Sequence, residues 1–130
     1  MCIRDRYNDF ENYINHRNNT STTRKEDLRH RFYTLMMDNY REHKEVIFYA
    51  DKLHVSSKYL SEVVKETSGK SPKDWIIDYS LLEIKELLKN SSLNIQEITI
   101  RTKFLNQSAL GRFFKRHTNM SPSEYRESTY

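Results

Sequence analysis

The sequence predicts an all-α fold, and three observations support this class. Only two glycines and two prolines occur among 130 residues, which leaves few residues for the tight turns of a sheet or for a glycine-rich phosphate loop. Apolar residues recur at helical spacing through most of the chain. The stretch SPKDW (71–75) returns as SPSEY (121–125), so both prolines lie in the same local pattern.

Each copy of this stretch predicts a helix that starts just after another helix ends. A serine that can cap free backbone N–H groups precedes a proline at the first helical position, and an acid follows three residues after the serine, as in a capping box. Glycine or asparagine, which tolerate left-handed backbone, closes the preceding helix. The residues are Gly69, Ser71, Pro72 and Asp74 in the first copy and Asn119, Ser121, Pro122 and Glu124 in the second. We therefore expect positive φ at Gly69 and Asn119.

The first 26 residues are expected to lie outside the helical domain. Residues 1–6, MCIRDR, match the in-frame translation of a string that resembles the transposon mosaic end of sequencing-library adaptors. We expect an adaptor artefact there; an ordinary start codon and N-terminal tail is the alternative. Residues 7–26 are expected to be the end of a truncated upstream domain plus a linker, because helical spacing is lost in NNTSTTRKED.

Residues 27–130 are expected to form one domain of seven helices. Two helices carry apolar stripes that indicate core. The stripe residues are Leu28, Phe32, Leu35, Met36 and Tyr40 in the first helix and Ile77, Leu81, Ile84 and Leu88 in a long central helix. The predicted boundaries are about 46–68 for a first helix pair, about 72–89 for the long linker helix, about 95–117 for a second pair and about 122–128 for the final helix.

The two helix pairs repeat each other as a short helix, a turn of about four residues and a second helix. Ala50 aligns with Thr99 at an offset of 49, whereas Leu60 aligns with Leu110 at an offset of 50, so one residue is added at the second turn. This arrangement is typical of the helix-turn-helix motif, whose second helix presents its first turns to base edges in the DNA major groove. We therefore expect the chain to bind double-stranded DNA.

The second helix of each pair carries side chains suited to DNA. Gln recognises adenine and Arg recognises guanine through paired hydrogen bonds, whereas Ser and Lys discriminate less. The residues expected to read bases are Ser57, Lys58, Ser61, Glu62, Gln107, Ser108, Gly111 and Arg112. The residues expected to contact phosphates are Ser56, Lys65, Lys103, Asn106, Lys115 and Arg116. A solvated cationic face is the alternative for FFKRH (113–117), but the duplication in the same register favours DNA contact.

Residues 46–126 resemble the DNA-binding region of the AraC/XylS family of bacterial transcription regulators. The matching residues in the second unit are Ile98, Phe104, Ser108, Arg112, Phe114, Lys115, Ser121, Pro122, Tyr125 and Arg126. The first unit adds Ala50, Ser56, Tyr59, Leu60, Ser61, Lys65, Gly69 and Pro72. Lys103 departs from the pattern, because the family has glycine there and a left-handed turn costs a residue with a side chain roughly 1 kcal/mol or more.

The resemblance implies two helix-turn-helix subdomains, joined by the long linker helix, that bind successive major-groove segments. It implies a regulator of transcription, including activators, with RNA polymerase as a partner. It also implies an upstream ligand-sensing or dimerising domain, and hence a homodimer. The single Cys2 excludes an internal disulfide framework, which favours the cytoplasm.

Other classes of protein fit the residues less well. The five histidines have no metal-ligand spacing, and Cys2 has no base partner, so we expect no catalytic residues, no cofactor and no metal. No apolar run reaches the roughly 20 residues of a membrane span. A helical protein-interaction module without DNA binding is the alternative function, since stacked helix pairs would have the same apolar stripes.

Overall fold

The computed structural model describes residues 24–128, and within this range the protein has seven helices and no strand. The helices are α1 (Arg24–Asn39), α2 (Val46–Lys52), α3 (Ser57–Ser68), α4 (Pro72–Asn90), α5 (Ile95–Arg101), α6 (Gln107–Thr118) and α7 (Pro122–Glu127). The chain divides into two compact units after Tyr79, inside α4. The predicted all-α class is confirmed. None of these helices is long and apolar enough to cross a membrane.

Both copies of the repeated helix stop and start have the predicted backbone. Gly69 has a φ of 86° and Asn119 a φ of 64°, so both residues close their helices in the left-handed conformation. The next helices begin at Pro72 and Pro122. Helix α1 begins at Arg24, three residues before the expected start of the domain at residue 27.

The core of the first unit contains several buried tyrosines. Tyr33, Tyr49 and Tyr79 are almost completely buried. The hydroxyls of Tyr33 and Tyr79 bond to each other, and the Tyr49 hydroxyl donates to the carbonyl oxygen of His43 at 2.7 Å. Burial, with a smaller effect of the Glu45 charge, raises the pKa of the Tyr49 phenol. These partners offset the cost of removing the hydroxyls from water.

The stripe predicted for α1 is part of this core. Leu28, Phe32, Met36 and Tyr40 are buried, and Leu35 packs against them while partly exposed. Helix α1 is therefore an integral part of the first unit.

A buried arginine also joins α1 to the end of α3. Arg29 is 3% exposed, and its guanidinium donates to the carbonyl oxygen of Thr67 in the last turn of α3. The last carbonyls of a helix have no partner within the helix, and a cation stabilises that end. Arg29 thus fixes the carboxyl end of α3, and no sequence pattern indicated this role.

The second unit has a smaller aliphatic and aromatic core. Its fully buried members are Ile84, Leu88, Ile98, Leu110 and Phe114. Tyr125 of α7 packs edge-on against the Phe114 ring at 5.4 Å between centroids, and the Lys89 ammonium lies 5.0 Å from the Tyr125 centroid. Arg126 donates from Nε to the carbonyl oxygen of Leu88 at 2.9 Å. Helix α7 therefore closes the end of α4 within this unit.

The stripe predicted for α4 is correct in its second half and wrong in its first half. Ile84 and Leu88 are buried as predicted, but Ile77 is only half-buried, and the buried residues nearby are Ile76 and Tyr79. The first half of α4 packs into the first unit and the second half into the second unit. A single helical phase cannot describe a helix that contributes to two cores.

Candidate nucleic-acid interface

The α2–α3 turn and the α5–α6 turn have the same backbone hydrogen bonds at an offset of 49 residues. In each turn one N–H bonds to the carbonyl three residues earlier, and the next N–H bonds to the carbonyl five residues earlier. The bonds are His54 to Asp51 (3.2 Å) and Val55 to Ala50 (3.0 Å) in the first turn, and Lys103 to Ile100 (3.2 Å) and Phe104 to Thr99 (3.1 Å) in the second. The two units are copies of one helix-turn-helix motif, as predicted.

A residue with a side chain occupies the left-handed position in both turns. Lys103 has a φ of 64°, in the position where the sequence predicted strain, and His54 has a φ of 59°, which was not predicted. Both side chains are exposed and carry N–H donors. Phosphate contact by Lys103 therefore stays a prediction that its exposure permits.

The residue added in the second turn is Leu105, whose side chain is 90% exposed. After it the units return to a common register at an offset of 50. Ser56 caps α3 by accepting from the Tyr59 N–H at 3.0 Å, and Asn106 caps α6 by accepting from the Ala109 N–H at 2.8 Å. Capping uses an acceptor atom of each side chain, whereas a contact to a phosphate would use the hydroxyl hydrogen of Ser56 and the amide hydrogens of Asn106. Capping and the predicted phosphate contacts are therefore compatible.

Most predicted DNA contacts are exposed on the recognition helices α3 and α6 or on the turns before them. The exposed base-reading candidates are Lys58, Glu62, Gln107, Ser108 and Arg112. The exposed phosphate candidates are Ser56, Lys65, Lys103, Asn106, Lys115 and Arg116. Ser57, Ser61 and Gly111 are half-buried. Each recognition helix therefore combines a buried apolar face with an exposed polar face.

The two recognition helices differ in charge. Helix α6 carries Arg112, Lys115 and Arg116 and contains no acidic residue. Helix α3 contains two lysines and two glutamates. One of these glutamates, Glu66, accepts a hydrogen bond from Lys25 of α1 at 3.1 Å. The exposed face of α6 is the more strongly cationic of the two.

Two exposed residues beside the predicted contacts were given no DNA contact by the sequence analysis. Gln96 of α5 accepts a hydrogen bond from Gln107 Nε2 at 2.7 Å. Tyr59, which the sequence analysis named only as a match to the family pattern, is 42% exposed in the first turn of α3. A polar residue near the start of the first helix of the motif was the available signal for Gln96, but sequence spacing alone could not show that its side chain reaches α6.

Two helix-turn-helix motifs with exposed polar recognition helices define a class of DNA-binding domain. The chain belongs to the AraC/XylS-type helix-turn-helix family: the family described as "Helix-turn-helix domain" matches residues 49–128. This is a family of regulators of transcription and not a family of enzymes. Residues 24–128 contain no group of three or more His, Cys, Asp or Glu side chains that could hold a metal ion.

Curated relatives of the chain are longer proteins. The uncharacterized HTH-type transcriptional regulator YobQ of Bacillus subtilis is 32% identical over 77 residues, which are 59% of this chain and 32% of that protein. The Msm operon regulatory protein of Streptococcus mutans is 31% identical over 78 residues, which are 60% of this chain and 28% of that protein. The chain therefore spans about a third of the length of these relatives or less.

Solved structures share the fold. The C-terminal domain of AraT, a response regulator from Geobacillus stearothermophilus, has a TM-score of 0.71 at 25% identity, over 82% of this chain and 89% of that one. The DNA-binding domain of AdpA, solved in complex with a target DNA, has a TM-score of 0.62 at 24% identity, over 73% of this chain and 86% of that one. The likeness to the AdpA domain concerns the fold alone.

Proposed function

We propose that this chain binds double-stranded DNA in a sequence-specific manner and regulates transcription, with α3 and α6 in successive major-groove segments. The observation that carries the proposal is the repeated motif with an exposed polar face on each recognition helix. Gln107 and Arg112 are exposed in the first half of α6 and are the proposed base-reading side chains, and the exposed Lys115 and Arg116 further along the helix are the proposed phosphate contacts.

Further parts of the proposal come from the relatives. The "HTH-type transcriptional activator RhaS" and the "Lactose operon transcription activator" are named as activators, which supports activation as the role of this chain. RNA polymerase as a partner rests on the family resemblance. The matched region is 28% to 36% of those relatives, which leaves room in them for a further domain. A ligand-sensing or dimerising domain upstream, and a homodimer formed through it, are the parts of the proposal that rest on the family resemblance. We also propose that the protein acts in the cytoplasm, where its DNA is, and that it has no catalytic activity.

The test separates base reading from phosphate contact. A duplex is selected from a random library with the full chain, and binding to it and to a scrambled duplex is titrated by fluorescence anisotropy at several salt concentrations. Arg112→Ala is expected to cost about 1–3 kcal/mol on the selected duplex and much less on the scrambled one. Lys115→Ala is expected to weaken binding to both duplexes and to reduce the salt slope by about one.

Lys73→Ala is the matched control, because Lys73 is exposed at the start of α4 and outside the predicted contacts. It is expected to leave both affinities nearly unchanged. Equal losses on both duplexes for Arg112→Ala would remove the base-reading role of Arg112. If the wild type binds neither duplex with a salt-dependent affinity, the helical protein-interaction module replaces the DNA-binding proposal.

A further inference from the structure

A side-chain hydrogen bond joins the two helices of the second motif at the start of the recognition helix. Gln107 is the first residue of α6, and its Nε2 donates to Oε1 of Gln96, in the first turn of α5, at 2.7 Å. Both side chains are exposed. An exposed glutamine otherwise samples several rotamers and loses this freedom when it binds a ligand. The bond therefore restricts Gln107 before DNA arrives.

The remaining hydrogen-bonding groups of the pair fit one adenine and one phosphate. A glutamine amide has two N–H donors and a carbonyl acceptor, so Gln107 keeps one N–H for adenine N7 and its carbonyl oxygen for the adenine amino group. Gln96 accepts the bond from Gln107 with its own carbonyl oxygen and retains an amide NH2, which is a donor for a phosphate oxygen.

The first motif lacks this pair although its backbone is the same. At the offsets found for the two parts of the motif, Ile47 is equivalent to Gln96 and Ser57 to Gln107. Ile47 is 61% exposed and has no side-chain acceptor. The pair is therefore a property of the second unit and not a requirement of the fold.

We propose that Gln96 is a positioning residue for DNA recognition, which holds Gln107 for bidentate recognition of one adenine and donates to a neighbouring phosphate. This inference rests on the proposed function and names one of its contacts. Gln96 makes the recognition of that adenine depend on a residue outside the recognition helix.

The experiment uses the full chain and a duplex that it selects from a random library. Each adenine of the duplex is replaced in turn by 7-deazaadenine, which loses the N7 acceptor and keeps Watson–Crick pairing. Replacement of one particular adenine is expected to lower the affinity of the wild-type protein roughly fivefold to tenfold. The same replacement is expected to leave the affinity of Gln107→Ala unchanged, which identifies this adenine as the one that Gln107 contacts. Gln96→Ala is expected to lose most of this sensitivity at the same adenine.

Gln96→Glu separates the two parts of the role. A carboxylate still accepts from Gln107 Nε2, so sensitivity to 7-deazaadenine is expected to remain. The same carboxylate repels the phosphate, so Gln96→Glu is expected to bind both duplexes more weakly than wild type does. The loss of affinity is expected to be about the same for the selected and the scrambled duplex and to be largest at low salt. Ile47→Ala, the equivalent change in the first motif, is expected to leave the sensitivity intact.

The inference is overturned if Gln96→Ala keeps the wild-type sensitivity, if Gln96→Glu loses it, or if no adenine replacement affects the wild type. These outcomes leave salt-dependent DNA binding in place, so they are distinct from failure of the proposed function, in which the wild type selects no duplex. Unchanged melting temperatures of the variants exclude loss of folding as the cause.

Discussion

Gly111 is the residue of α6 at which helix stability and the predicted DNA contact make opposite demands. A Cβ atom added at Gly111 would meet no atom within 4 Å, so the protein itself leaves room for a side chain. Glycine within a helix is less stable than alanine by roughly 0.5–1 kcal/mol. The retained glycine is explained if a base or the DNA backbone approaches closely there.

Gly111→Ala is therefore expected to raise the free energy of unfolding by roughly 0.5–1 kcal/mol and to weaken binding to the selected duplex. Chemical denaturation followed by circular dichroism measures the first effect, and anisotropy measures the second. Ser123→Ala, at an exposed position of α7 outside the predicted contacts, is the control for introducing alanine into a helix. Unchanged DNA affinity in Gly111→Ala would show that the DNA does not need this space.

Residue type decides which left-handed positions the sequence can predict. Gly69 and Asn119 were predicted because glycine and asparagine favour positive φ, and Lys103 was indicated by the glycine of the family pattern. His54 was missed because histidine adopts positive φ more often than most residues but still too rarely for its presence in a turn to predict it. Its conformation follows from the turn, whose hydrogen bonds repeat those around Lys103.

At the scale of single helices, the starts of α4 and α7 differ in the length of one acidic side chain, because Asp74 has one methylene group fewer than Glu124. At α7 the box is complete: the Ser121 N–H donates to Glu124 at 2.8 Å, and the Glu124 N–H donates to Ser121 Oγ at 3.1 Å. Hydrogen bonding of the Glu124 carboxylate, first to the Ser121 backbone and then to the Ser121 side chain, lowers the pKa of Glu124. At α4 the Asp74 N–H donates to Ser71 Oγ at 3.2 Å. Asp74 is shorter than glutamate and is less suited to reach back.

The reciprocal changes test this difference. Asp74→Glu is expected to complete the box at α4 and to stabilise the protein by about 0.5 kcal/mol, whereas Glu124→Asp is expected to destabilise it. Urea denaturation at neutral pH measures both. The same sign for the two changes would contradict the role given to side-chain length.

The gain from Asp74→Glu should also depend on pH. A carboxylate whose pKa is lowered by folding stabilises the protein above its unfolded pKa, and this stabilisation disappears as the pH falls through the lowered folded value. The advantage of glutamate at position 74 is therefore expected at neutral pH and lost in acid.

Sequence periodicity describes elements well when each packs into one core. The stripe of α1 was predicted correctly because Phe32 and Met36 face a single unit. In α4 the pattern that runs through Ile77 and Ile84 is regular, yet the first half buries Ile76 instead. The change of face depends on contacts between residues distant in sequence, which a local pattern does not contain.

At the scale of the whole molecule, charge is divided unevenly between the two motifs. Glu62 is exposed on α3 and was predicted to read a base, which for a carboxylate means accepting from the cytosine amino group. Glu62→Gln is expected to bind scrambled DNA about fivefold more tightly, because it removes a negative charge near phosphates. The ratio of the affinity for the selected duplex to that for the scrambled duplex is expected to fall.

Anisotropy on both duplexes measures this change, and Glu127→Gln, an exposed acid outside both motifs, is the matched control. If Glu62→Gln improves selected and scrambled binding by the same factor, Glu62 contributes only charge. Equal gains for Glu127→Gln would mean that net charge, and not its position, sets the affinity.

The distribution of aromatic residues gives the protein a built-in optical probe of one unit. Trp75 is the single tryptophan of the chain, and it lies in the first unit, where its Nε1 donates to Ser68 Oγ at 2.9 Å and the Lys70 ammonium lies 4.7 Å from its ring centroid. Tryptophan emission should therefore report unfolding of the first unit alone, while far-ultraviolet ellipticity follows the helices of both. Comparing the two signals along one denaturation curve would reveal whether the motifs melt together, without any added label.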